Sequence, residues 1–179
     1  MPNSEGAGWN TEIAAKRFAF KPVVLIEWAV RRRVLILPPG NPGQVASLAD
    51  LAGKRLAKRQ QAAGSHVLLK KLMAETDPDL ADAVLDGPSV RDERDAAQAV
   101  FSGEADVAFG LETAARQSRL DFVPVCTERF DLLVHRRDYF EAAFQKLLKF
   151  SRTPEFAAKA DQLAGYDISG LGTVHFNGY

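Results

Sequence analysis

The chain has 179 residues, is 46% hydrophobic and 26% charged, and sets 23 Lys and Arg against 23 Asp and Glu for a formal net charge of zero. That length buries one good core or two small lobes, and the neutral total provides no global attraction to nucleic acid or to an anionic membrane. A single cysteine, Cys126, excludes an internal disulfide; within the apolar run Phe122 to Cys126 it reads as a buried, inert thiol.

The first ten residues, MPNSEGAGWN, are polar and lack the basic start and apolar core of a secretory signal. They are expected to be disordered, with a short helix over Thr11 to Phe18. Val23 to Leu37 is the most apolar run, but Glu27 and the three arginines Arg31, Arg32 and Arg33 make it too charged to span a bilayer. A soluble, cytoplasmic protein is expected. The same run reads as two strands, Val23 to Val30 and Arg33 to Leu37, separated by a basic corner. Pro38-Pro39-Gly40-Asn41-Pro42-Gly43 then stops regular structure, and is the natural boundary or hinge.

The rest of the chain is organised around Ser47 to Met73, SLADLAGKRLAKRQQAAGSHVLLKKLM. Ser47 and Gly53 bracket a short helix, Lys54 to Arg59 reads as a strand, and Gly64 and Ser65 open a helix with Leu68, Leu69, Leu72 and Met73 on one face. A helix start of this kind presents free backbone N–H groups and a positive dipole end, which favour an anion or a polar ligand head. Further helices are predicted at Asp77 to Asp86, ended by Gly87-Pro88, and at Asp95 to Phe101, Thr113 to Ser118 and Tyr139 to Phe150. A last helix begins at Pro154. Strands are predicted near Ser89 to Arg91 and at Ala105 to Leu111, Asp121 to Cys126 and Phe130 to His135. The tail from Asp167 to Tyr179 shows no period.

Strands alternating with helices argue for an α/β fold with a mainly parallel sheet and helices on both faces. Ligands in such sheets sit at the carboxyl ends of the strands. Three loops qualify, Gln60 to His66, Arg91 to Arg94 and Gly110 to Thr113, and they are expected to come together. The candidate ligand residues are Arg59, Gln60, Gly64, Ser65, His66, Asp92, Glu93 and Glu112. Arg59 and the turn at Gly64 to His66 suit an anion. Asp92, Glu93 and Glu112 either favour a cation or serve as caps and first-turn charges, and the second reading is preferred. His66, His135 and His175 have no metal-binding spacing, no catalytic motif is present, and no cofactor is expected. The clusters Arg31-Arg32-Arg33 and Arg136-Arg137 are read as solvated strand ends, not as a nucleic-acid surface.

Several blocks in order, GNPG at Gly40, SLADLAGKR at Ser47, KRQQAAGSHVLL at Lys58, FSGEADVAFGLETAA at Phe101, LDFVPV at Leu120, ERFDL at Glu128 and SRTPEF followed by LAGYD, carry a resemblance. The chain resembles the substrate-binding-like domain, of type 2 periplasmic-binding-protein fold, found in molybdopterin-biosynthesis proteins and in some helix-turn-helix regulators. The resemblance implies two α/β lobes joined by crossing strands. Residues 39–126 would form the complete second lobe, and residues 1–38 with 127–179 a partial, shortened first lobe. It implies a non-enzymatic sensor of a small ligand, an oxyanion such as molybdate or tungstate, tied to molybdenum-cofactor metabolism or transcriptional regulation. The partner would be a fused or separate helix-turn-helix or molybdopterin-biosynthesis domain, without direct contact to nucleic acid or membrane. Where the family tends to read Gly-Ser-Gly-Thr-Arg across the organising turn, this chain has Ala62 to His66, and His66 is only partly charged near neutrality. The alternatives are a ligand-free interaction or dimerisation module and, third, an enzyme using the same cleft.

Overall fold

The computed structural model describes residues 9–179. Residues 1 to 8 lie outside the description, so the expectation of disorder bears only on Trp9 and Asn10, which instead begin α1 (Trp9–Phe18). In chain order there follow β1 (Val23–Leu37), β2 (Arg55–Arg59), α2 (Gly64–Thr76), α3 (Leu80–Ala83), β3 (Leu85–Val90), α4 (Glu93–Phe101), β4 (Val107–Leu111) and α5 (Glu112–Gln117). The chain closes with β5 (Asp121–His135), α6 (Arg136–Tyr139), α7 (Ala142–Ser151), α8 (Pro154–Gln162), β6 (Tyr166–Asp167) and β7 (Val174–Asn177). Two compact units result. One is Arg32–Cys126, the sheet unit; the other, the terminal unit, comprises residues up to Arg31 together with Thr127–Tyr179.

In the sheet unit the strand order is β3-β2-β4-β1-β5. β2 pairs in parallel with β3 and with β4, but β1 runs antiparallel to β4, with Arg33 opposite Leu111 and Ile36 opposite Ala108. The sheet is therefore mixed, parallel across β3-β2-β4 and antiparallel where β1 joins β4. Every residue of β4 is buried, as a central strand covered on both faces requires. On one face Val34, Ile36, Ala57 and Ala108 pack with Ala96, Ala97 and Val100 of α4 and Ala115 of α5. Alanines at successive inward positions let α4 approach the sheet closely. Strand alternation turns Leu35, Leu37, Leu56 and Val107, all buried, to the opposite face, the side on which α2 contributes Leu68, Leu69 and Met73.

Three strands differ from expectation, each for a physical reason. β1 is one strand of 15 residues with no basic corner, because the arginines continue the ladder and find acidic partners. β5 is likewise continuous through Thr127 to Arg129. β3 contains Gly87-Pro88, which reads as a helix stop. A sheet-edge strand tolerates proline, and the β2–β3 register shifts between Leu56 and Lys58. A side chain at Gly87 would place its Cβ 2.5 Å from the Leu56 carbonyl oxygen, so only glycine lets the two strands approach there. Asp77, expected to cap the short helix after it, instead caps the end of α2, while Asp79 precedes α3.

In the terminal unit, the first half of β1 pairs antiparallel with β7 through Val24 to Ile26 and with β6 through Val30 and Arg31. Strands of two and four residues are too short to show periodicity, which is why the tail has no readable pattern. Trp28 meets Phe156 edge-on at 5.7 Å, and Phe156 meets Phe150 in the same way. The helix expected over Tyr139 to Phe150 divides at Phe140 and Glu141, where Glu141 is extended. The pattern places Phe140, Ala143, Phe144, Leu147 and Leu148 on one apolar side, but of these only Leu148 is buried, while Phe140 is 71% exposed and Leu147 lies on the surface.

Candidate functional site

The carboxyl ends of β2 and β4 and the starts of α4 and α5 meet in the sheet unit, and the antiparallel β1 delivers its arginines to the same end. Arg33 is buried, with 4% of its side chain exposed. Its Nη1 donates to Glu93 Oε1 at 2.8 Å, and Nη1 of Arg59 donates to that same oxygen at 3.1 Å. The second oxygen of Glu93, Oε2, is enclosed and accepts no hydrogen bond from the described residues. Gly110 makes this possible, because a Cβ there would lie 3.1 Å from Glu93 Oε2 and closer still to Ile36. The loops at Arg59, Glu93 and Gly110 thus converge, as three strand ends in one sheet should.

Beside this group, Glu112 opens α5 with its side chain 1% exposed. It accepts from Arg32 Nη1 and from Arg116 Nε, each at 2.7 Å. Arg116 also lies over the Phe122 ring. Four guanidinium groups therefore stand at this end of the sheet with the carboxylates of Glu93, Glu112 and Asp92, the last within reach of the Arg59 charge. Such an excess of cation in a partly dehydrated setting favours an anion. The reading of Arg31 to Arg33 as solvated strand ends is corrected: Arg33 is buried, Arg32 pairs with Glu112, and Arg31, within the terminal unit, pairs with Glu128 and lies over Phe130.

Asp92 is the N-cap of α4, accepting from the backbone N–H of Arg94 at 2.8 Å and of Asp95 at 2.9 Å. The Asp95 bond, and then the Arg94 bond, hold its carboxyl below the usual carboxylate range. Asp92, Glu93 and Glu112 therefore form no open set of acids for a cation; each already has donors.

Gln60, Ser65 and His66 lie elsewhere. They line a cavity of about 470 Å³ between α2 and strands β2 and β3, which Arg59 also borders. Ser65 is buried and Gly64, the first residue of α2, is exposed and does not line the cavity. Burial, then Lys70 and Lys58, lower the pKa of His66. The one predicted site is thus two places, with Arg59 bordering both. Sequence reasoning missed Arg32, Arg33 and Arg116 at the first, and Lys58 and Lys70 at the second. The available signal was the placement of three arginines inside a Val/Ile/Leu run, since a charge in a buried strand needs a partner. Outside these places, His175 Nε2 lies 2.6 Å from Glu27 Oε2 in the terminal unit, and His135 Nδ1 accepts from the Arg137 backbone.

A family model described as a PBP superfamily domain matches residues 1–152. The protein YvgK of Bacillus subtilis (strain 168) is 28% identical over 174 residues, covering 96% of this chain and 56% of YvgK, so the chain spans little more than half that relative's length. Among solved structures, PEB3 bound to L-phospholactate matches with a TM-score of 0.57 at 14% identity, over 87% of this chain and 74% of PEB3. An ancestral arginine-binding protein bound to arginine matches with a TM-score of 0.58 at 18% identity, over 86% and 67% of the two chains. At such identities the likeness is one of fold.

Proposed function

This chain belongs to the PBP superfamily domain family and has the type 2 periplasmic-binding-protein fold, and on that premise we propose that it is a non-enzymatic module that binds a small anionic ligand. The observation that carries the reading is the convergence of Arg33 and Arg59 on a single carboxylate oxygen of Glu93. A guanidinium held in place by a buried neighbour is pre-organised, and loses little freedom when an anion replaces water beside it. The proteins of like fold support a small, polar ligand, since one was solved with L-phospholactate and another with arginine. Within that class, the resemblance of the GNPG to LAGYD blocks favours an oxyanion such as molybdate or tungstate. In that case the module would report occupancy to a molybdopterin-biosynthesis or helix-turn-helix partner.

The test is a thermal-shift series with molybdate, tungstate, sulfate, phosphate and amino acids, run on the native chain and on Arg59→Ala. A ligand at 100 times its dissociation constant stabilises the folded state by about 2.7 kcal/mol, so a saturable rise in midpoint is expected in the native chain and its loss in the variant. If no anion shifts a well-folded sample, ligand binding at this end is refuted. Light scattering would then examine self-association through the outer face of α7, where Leu147 and Phe150 are exposed one turn apart.

A further inference from the structure

The cavity between α2 and the β2–β3 edge lies on the sheet face opposite the alanine-rich helix α4. Ala57 packs toward α4, so its neighbours Leu56 and Lys58 turn to the cavity side. Small residues leave the space open: Gly87 and Ser89 on β3 and Ala81 on α3 border it. Its walls are of two kinds. Leu56, Leu69, Met73 and Val84, all buried, form an apolar floor, while Lys58 and Lys70 supply ammonium groups at the rim. Asp86, whose side chain is 84% exposed, pairs with Lys58, and Asp82 is the other acid on the wall.

We propose that this cavity is a second binding site, separate from the arginine cluster, for an organic anion that carries an apolar body behind one charged head. The volume of about 470 Å³ lies in the range of sites for small organic molecules. One water molecule occupies roughly 30 Å³ of liquid, so a bare tetrahedral oxyanion would leave most of the space empty. An inorganic ion would also face Leu and Met surface that offers it no hydrogen bond. An apolar body removes that floor from water, and a carboxylate, sulfonate or phosphate head meets Lys58 and Lys70. The sign of the head follows from Lys70, which has no ion pair among the described residues, with Lys58, held by Asp86, beside it. The pKa of His66 is lowered first by burial and then by Lys70 and Lys58, in keeping with a partly dehydrated cavity bordered by these two ammonium groups.

The experiment is a fluorescence titration of the full chain with 8-anilinonaphthalene-1-sulfonate, an apolar ring system bearing one anionic head. Saturable binding of one molecule per chain is expected, unaffected by sulfate at the same concentration. Lys58→Met should weaken it roughly tenfold or more, as loss of a charge-assisted contact does. Ala81→Phe, which fills the cavity without changing charge, should abolish it. Circular dichroism reports whether each variant is folded, and Lys70→Met serves as the second surface variant if Ala81→Phe is not. Three results overturn the proposal: no saturable binding, binding that sulfate displaces equally well, or binding that survives Lys58→Met and the second variant unchanged. Because Arg59 borders both places, the inorganic-anion series is repeated on Arg32→Ala, which touches the arginine cluster and not the cavity, so either site can fail alone.

Discussion

Glu93 neutralises two guanidinium groups with one carboxylate, and only one of its oxygens takes part. Removing its charge should therefore act in two directions. Glu93→Gln keeps the shape but removes the carboxylate charge that the buried Arg33 shares with Arg59, which destabilises the fold. Breaking a fully buried pair costs about 3–5 kcal/mol; with Glu93 24% exposed, about 1–3 kcal/mol is expected. The same change removes the negative charge that Arg33 and Arg59 share, so phosphate or sulfate should restore more stability to the variant than to the native chain. Urea midpoints measured with and without phosphate check both effects. An equal or smaller restoration in the variant would show that Glu93 is not competing with solute anions.

The edge strand β3 is only partly visible in the sequence, and its close pairing with β2 depends on Gly87. Gly87 lies against the Leu56 carbonyl where the β2–β3 register shifts, and a Cβ there has no room, since the obstruction is backbone. Gly87→Ala should cost about 1–3 kcal/mol, the range for forced overpacking. The effect should appear as a lower denaturation midpoint at unchanged slope; a change below the measurement error would mean that β3 yields freely. Prolines and glycines read as punctuation in a linear sequence, but at a sheet edge the same pair is compatible with a strand. The alanine-rich α4, by contrast, is readable without the fold. Its Asp92 cap, its inward Ala96, Ala99 and Val100, and the glycine after it are all local signals.

For the molecule as a whole, the two long strands matter most. β1 and β5 each contribute residues to both compact units. Neither unit can lose these strands without unravelling part of the other unit's ladder. Calorimetry should therefore show one cooperative transition, with equal calorimetric and van't Hoff enthalpies, moved as a whole by any ligand of the sheet unit. Two separated transitions, only one of them ligand-sensitive, would contradict this.

Local chemistry in the sequence determined the helices with clear caps, the strands of Val, Ile and Leu, and the α/β class. The ordered blocks pointed to the two-lobed binding-protein fold. These depend on contacts within about one turn or one strand. Only the tertiary structure decided that the sheet is mixed, that Arg31 to Arg33 lie within a continuous strand, and that the predicted site residues divide between two places. The reason is distance along the chain. Arg32 and Arg33 take their partners 80 and 60 residues away, and Glu27 meets His175 at a separation of 148. No local pattern reports which acid will meet which base once the strands are laid side by side.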